Sequence, residues 1–175
     1  FYKKIPIIYI EDNKELKSGT ASAIYSAYHK LPEHFLLQYG DTILDIDYKK
    51  FYKRSKLFKD SILMSIYKNN ESLDKNNVLY KEKKLTYYNS ESNLNNKNIS
   101  LANYIDYGLL GIHKLFLKKH ICFLKENASL KHFQEKISNL NLIKPYLVDK
   151  RFYEIGNPES YNFFKNAYLK GELND

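Results

Sequence analysis

Apolar residues recur along this chain in two periods, one suited to strands and one to helices. The run Ile5-Pro6-Ile7-Ile8-Tyr9-Ile10 is rich in β-branched residues and predicts a strand over 5–10, with Pro6 marking an edge or a strand start. Polar residues 11–18 follow as a loop. Gly19-Thr20 then opens a stretch in which Ala21, Ile24, Tyr25, Tyr28 and Leu31 share one helical face. Thr20 or Ser18 is placed to cap that helix and Pro32 to stop it. Phe35-Leu36-Leu37-Gln38-Tyr39 reads as a strand ending at Gly40-Asp41. Asp47 is placed to cap a second helix with Tyr48, Phe51 and Tyr52 on one face, and 61–67 is the next strand. Strands alternating with helices predict an α/β fold, a Rossmann-like, mostly parallel sheet flanked by helices.

The middle of the chain changes character. Polar loops are expected over 69–77 and 89–100, and a hairpin over 78–88 across Lys81-Glu82-Lys83-Lys84. Residues 104–113 form an apolar strand pattern interrupted by Gly108 and Gly111. Helices are expected over 114–125 and 129–140, and short strands over 142–148 and 152–155. Asn157-Pro158-Glu159 begins a last helix, with Asn157 as cap, Pro158 in its first turn and Glu159 suited to the helix dipole. Tyr161, Phe164, Ala167 and Tyr168 give its apolar face, and Gly171 a stop.

Composition adds less. A chain of 175 residues, 43% hydrophobic, fits a single domain with a core. Its apolar runs are too short to cross a bilayer, which points away from a membrane partner. The start reads directly into a strand pattern and not as a leader, and it lacks an initiator Met, so a processed chain or a start inside a longer one is expected. The one Cys, Cys122, sits in an apolar helical context and reads as a small core residue; a cytoplasmic, reducing location fits. The net charge of +8 raises nucleic acid as a partner. The lysines are spread evenly and no aromatic platform accompanies them, so no nucleic-acid partner is expected.

Three segments carry candidate chemistry. Gln38-Tyr39-Gly40-Asp41-Thr42 places a carboxylate just past a strand, where open α/β sheets bind ligands, although Gly-Asp is also ordinary turn chemistry. Lys17-Ser18-Gly19-Thr20-Ala21-Ser22-Ala23 offers small residues at a helix start, open to a ligand or simply packed. Arg151-Phe152-Tyr153-Glu154-Ile155-Gly156 carries a carboxylate on a short strand, a second metal-facing acid or a solvent-facing one.

In order, Glu11, Gly19-Thr20-Ala21, Gly40-Asp41, Tyr104-Ile105-Asp106-Tyr107-Gly108-Leu109 and Phe152-Tyr153-Glu154-Ile155-Gly156-Asn157-Pro158-Glu159 resemble the sugar-phosphate nucleotidyltransferases, or nucleotide-sugar pyrophosphorylases. The resemblance is especially to bacterial enzymes acting on heptose, mannose or glucose 1-phosphates. It extends over about 5–169 and is most specific in its last segment. The resemblance implies one domain over 1–175, incomplete at its N-terminus and lacking the first strands. It implies Asp41 and Glu154 as catalytic and Mg²⁺-binding acids. It implies Gly19, Thr20 and Gly40 on the nucleotide side, and Tyr107 and Gly108 on the sugar side. The implied partners are a nucleoside triphosphate and a sugar 1-phosphate.

Two departures stand beside the likeness. The family's opening Gly-rich loop, with its Arg and later Pro-Lys, has no counterpart and belongs before Phe1. The Lys expected after the hairpin is also missing, the aligned residues being Tyr88-Asn89-Ser90; Lys83, Lys84 and Lys97 are only nearby. The chain alone is therefore expected to be inactive and, with a strand edge bared, to self-associate as a homo-oligomer. The alternatives are a metal-dependent glycosyltransferase of related fold, with Asp45-Ile46-Asp47 as its acidic motif, and a non-catalytic fragment or binding subunit.

Overall fold

The computed structural model describes residues 4–13, 15–69, 75–88, 97–126 and 128–172. Helix α1 (Thr20–Ala27) runs into a short 3-10 turn and leads to β1 (His34–Gln38), β2 (Thr42–Ile43), α2 (Tyr48–Ser55) and β3 (Ile62–Tyr67). The hairpin is β4 (Val78–Lys81) and β5 (Lys84–Tyr87), and the long strand β6 (Ile105–His113) follows. Helices α3 (Lys114–Lys119), α4 (Ile121–Glu126) and α5 (Leu130–Asn139) precede β7 (Ile143–Val148), β8 (Tyr153–Glu154) and α6 (Pro158–Leu169).

The central sheet has the order β1-β6-β3-β7. β7 pairs parallel to β3, and β6 pairs antiparallel to both β1 and β3. β1, β3 and β7 thus run in one sense, as expected of this α/β class, with one reversed strand set between β1 and β3. Their carboxyl ends meet at one edge of the sheet, together with the amino end of β6.

Alternation along the strands divides the core. Ile62, Met64 and Ile66 of β3, with Leu110 and Ile112 of β6, face a layer built from α1, α3, α4 and α5. Leu63, Ile105, Tyr107 and Leu109 face Phe51 of α2 and Phe152 on the other side. Gly111 lets α2 approach that face. A Cβ on it would lie 2.3 Å from the Ser55 Cβ.

The β3–β6 ladder is broken by a bulge. Between the pairs Met64–Leu110 and Ile66–Asp106, β3 has only Ser65 opposite Tyr107, Gly108 and Leu109. Ser65 Oγ fills the gap, donating to Leu109 O (2.9 Å) and accepting from Leu109 N (3.2 Å). Gly108 takes φ +90° here, a conformation that favours glycine. The bulge re-aims the first residues of β6 toward the end of β1.

Several local expectations hold. Asp47 Oδ1 accepts from Lys50 N and Asn157 Oδ1 from Ser160 N, each at 2.9 Å, so both caps form. Gly171, at φ +71°, ends α6 with Gly171 N donating to Tyr168 O and Glu172 N to Ala167 O. The hairpin turns through Glu82 and Lys83, both at positive φ.

Others are corrected. No sheet strand forms over 5–10; Ile8 is 69% and Tyr9 89% exposed. β-branched composition makes a strand only where a neighbouring strand takes up the backbone hydrogen bonds, and the described residues supply none there. The helix expected over 114–125 is two helices broken at His120, and Cys122 lies exposed, not in the core. α1 starts after Gly19 with no side-chain cap from Ser18 or Thr20. Residues 70–74 and 89–96, which hold much of the two expected polar loops and Asn89-Ser90, lie outside the described residues. No helix among the described residues is long and apolar enough to cross a membrane.

Candidate active site at the carboxyl edge of the sheet

Asp41 sits where the sequence placed it, just beyond β1. The segment carrying it is held on two sides. Toward β6, Tyr39 N donates to Gly108 O (3.1 Å), and Thr42 Oγ1 donates back to Tyr39 O (3.1 Å), closing the turn. Toward the C-terminal region, β2 pairs with β8, Thr42 opposite Glu154 and Ile43 opposite Tyr153. Ile155 N extends this pairing by donating to Asp41 O at 2.8 Å. The two candidate acids therefore occupy neighbouring rungs of one short strand pair, although 113 residues separate them in the chain.

Two glycines make this approach possible. A Cβ on Gly156 would lie 3.1 Å from Asp41 Oδ2, so the carboxylate rests against the bare Cα of Gly156. A Cβ on Gly108 would lie 3.1 Å from the Tyr39 ring and 3.2 Å from Thr42 Oγ1. Gly40, by contrast, is exposed and has open space beside it. Gln38 links the turn to α2, its Nε2 donating to Thr42 O (3.1 Å) while Tyr48 Oη donates to its Oε1 (2.7 Å).

A buried polar network lies behind the turn. Asp106, on β6, is 7% exposed. Its Oδ2 accepts from Tyr39 Oη (2.7 Å) and from Gln134 Nε2 (2.8 Å), and its Oδ1 from Gly108 N (2.9 Å). Gln134, buried on α5, also donates to Tyr39 Oη at 3.0 Å. Burial raises the Asp106 carboxyl above its ordinary range, against the three hydrogen bonds that favour its charged form. Burial, and next the Asp106 charge, push the Tyr39 hydroxyl well up. The sequence signal for this network is an acid inside the apolar run 104–113; its partners gave none.

The other predicted residues are placed less simply. Tyr107 is 0% exposed and packs against Phe152 and Tyr67, its hydroxyl donating to Asp45 O and Arg151 O. Its ring is core, so Gly108 is the member of that pair whose backbone borders the turn. Gly19 lies against Ala128, where a Cβ would meet the Ala128 carbonyl oxygen at 2.5 Å. Thr20 Oγ1 accepts from Leu130 N (2.8 Å), so its hydroxyl serves the start of α5. Both residues are tied to the α4–α5 turn. In the acidic motif at 45–47, Asp45 pairs with Lys150 Nζ at 2.8 Å and Asp47 caps α2. Among the described residues no three or more His, Cys, Asp or Glu side chains gather as a metal cage.

No family model and no curated protein matches the chain. Solved structures do. The inositol-1-phosphate CTP transferase from T. maritima is 22% identical with a TM-score of 0.59, over 85% of this chain and 60% of that one. A putative glucose-1-phosphate thymidylyltransferase from Bacillus anthracis is 13% identical with a TM-score of 0.61, over 90% of this chain and 63% of that one. HddC from Yersinia pseudotuberculosis is 18% identical with a TM-score of 0.55, over 86% and 62%. The chain thus spans less than two thirds of the length of each of these structures. Across most of its own length it has the fold of these sugar-phosphate nucleotidyltransferases.

Proposed function

We propose that this chain carries the metal- and phosphate-facing part of a nucleotidyl-transfer site, one that joins a nucleoside triphosphate to a sugar 1-phosphate. The observation that carries this reading is the clamp on Asp41. The residue stands at the carboxyl edge of the sheet, bonded through its carbonyl to Ile155 N, one rung from Glu154 and against Gly156. The likeness of fold to sugar-phosphate nucleotidyltransferase structures supports it.

Mg²⁺ takes oxygen ligands, needs few of them from protein and keeps several waters, so two acids can share it directly or through water. Mg²⁺ held by Asp41 and Glu154 would offset the negative charge of the phosphates. In the reaction an oxygen of the sugar 1-phosphate forms a bond to the α-phosphorus of the triphosphate. The bond from that phosphorus to the oxygen bridging to the β-phosphorus breaks in line, and pyrophosphate leaves. Asp41 and Glu154 would hold that Mg²⁺ beside the phosphates, Gly40 leaves backbone open to the nucleotide, and Gly108, with Tyr107 behind it, backs the sugar side. Gly19 and Thr20 set the start of α1 on the nucleotide side. A cytoplasmic location fits such substrates. The glycosyltransferase reading is weaker, because Asp45 and Asp47 are already engaged with Lys150 and with the start of α2.

The test is calorimetry of the purified protein with Mg²⁺ and a panel of nucleotide sugars, beside assays of pyrophosphate and nucleoside diphosphate release. Mg²⁺-dependent binding of a nucleotide sugar is expected, lost in Asp41→Asn with the circular dichroism unchanged. The chain by itself is expected to give no turnover. Release of nucleoside diphosphate would favour the glycosyltransferase. Absent binding, or equal binding by Asp41→Asn, would sink the proposal.

A further inference from the structure

Asp106 itself has no part in the chemistry above, yet its hydrogen bonds grip the segment that bears Asp41. Its carboxylate is too deep to meet a ligand, and it makes three hydrogen bonds. One reaches Tyr39, two residues before Asp41; one reaches Gly108 N, on the strand to which Tyr39 N is bonded; and one reaches Gln134 on α5. Asn77 Oδ1 holds the backbone of Asp106 in turn, accepting from its N–H at 2.9 Å. A buried acid inside an apolar strand is costly unless it is hydrogen-bonded, and here three donors meet it. What the acid supplies is direction. It joins α5, the β6 bulge and the Tyr39 turn at one point.

We propose that Asp106 is a positioning residue for Asp41, acting through the Tyr39 hydroxyl and the Gly108 amide to hold the Asp41 turn in register with β8. The proposal rests on the reading of Asp41 as the ligand-facing acid, but its mechanical content stands apart from any ligand. If the carboxylate relaxes its hold, the turn loosens. The first bond to feel this is Ile155 N–H to Asp41 O, the last rung of the pairing with β8. The β3–β7 ladder has no share in the network and serves as the internal control.

Two measurements on the same variants separate the layers. Amide hydrogen exchange is followed by NMR in wild type, Asp106→Asn and Tyr39→Phe. Tyr39→Phe removes a single hydroxyl and keeps the ring against Gly108, so it guards against a variant that fails to fold. Protection of the Ile155 amide is expected to fall by at least about tenfold in both variants, the loss of one hydrogen bond to a buried charge. The Ile62 amide, which donates to Leu142 O at the start of the β3–β7 pairing, is expected to keep its own. Unchanged protection at Ile155, or an equal loss at Ile62, overturns the proposal and leaves Asp106 a general fold residue. Mn²⁺ binding, read by electron paramagnetic resonance as a probe for Mg²⁺, is the second readout. It is expected to weaken in both variants and vanish in Asp41→Asn. If wild type binds no Mn²⁺ while Ile155 protection still falls in the variants, the metal-site reading fails and the positioning role stands.

Discussion

Asp41 Oδ2 lies 3.1 Å from the point where a side chain on Gly156 would begin. The turn after β1 and the turn after β8 are therefore matched in shape. Gly156 is not held at positive φ, so its requirement is space alone.

Gly156→Ala follows directly. The added methyl has to be met by movement of the Asp41 carboxylate, because backbone pairing holds the rest of the turn. The effect on stability should be small, below about 1 kcal/mol, since Gly156 is exposed and its new neighbour is a side-chain end. Mg²⁺-dependent nucleotide-sugar binding should fall by roughly tenfold or more, a displacement penalty of about 1.4 kcal/mol. Calorimetry beside thermal unfolding reads both. Binding equal to wild type would mean that the carboxylate does not act from this place.

Gly111→Ala tests the opposite face. A Cβ there meets Ser55 Cβ at 2.3 Å and Ser55 Oγ at 2.8 Å, both on α2. Helix and sheet must separate, and overpacking of this kind costs about 1–3 kcal/mol. Ser55→Gly in the same chain should restore a good part of the loss. A double-mutant cycle in urea gives the coupling, and additive losses would show that the two residues do not compete for one space.

These sites also show what the sequence made legible. Asp41 at a strand end, Asn157 and Asp47 as caps and Gly171 as a stop are local signals, and each stands in the structure as read. The strand expected over 5–10 rested on propensity alone, while strand formation depends on a neighbour that propensity does not report. Gly19 reads as a ligand-facing glycine, and the structure supplies a second reason in Ala128, far along the chain. Asp106 was visible only as an odd acid in an apolar run. Its meaning comes from Tyr39 and Gln134, 67 and 28 residues away, brought to it by the sheet and by α5. Contacts of that separation leave no periodic trace in one sequence.

His34 gives a pH prediction. Its Nε2 lies 2.7 Å from Ser55 Oγ, whose own proton goes to Tyr52 O, so Nε2 donates; Nδ1 is buried without a hydrogen-bond partner. Burial first, then His113 and Lys56, lower its pKa from 6.5, with Glu33 opposing. The unfolded chain therefore binds the proton more readily, and stability rises with pH up to about 6.5 and is lost as pH falls below it. His34→Gln should flatten this slope below about pH 6.5. Urea titrations at several pH values check it, and an unchanged slope assigns the acid sensitivity elsewhere.

The last prediction concerns β1. It ends the order of the central sheet, so one of its edges has no strand among the described residues, and it carries neither Lys nor Pro to discourage pairing. Close in sequence, Ile5, Ile7, Ile8, Tyr9 and Ile10 are all exposed. An open strand edge and an unburied apolar segment each favour association, the first through backbone hydrogen bonds and the second through area removed from water. The purified chain should therefore self-associate reversibly as its concentration rises. Sedimentation velocity over a dilution series measures this. Replacing Ile8 and Tyr9 together by Lys removes apolar surface and adds like charge, and should shift the chain toward monomer without changing its fold, since neither side chain is buried. Leu36→Lys is the harder test, because Leu36 is half-buried on β1 and packs against the second core layer. A wild-type chain that stays monomeric at every concentration would show that the β1 edge is protected by means other than a second copy.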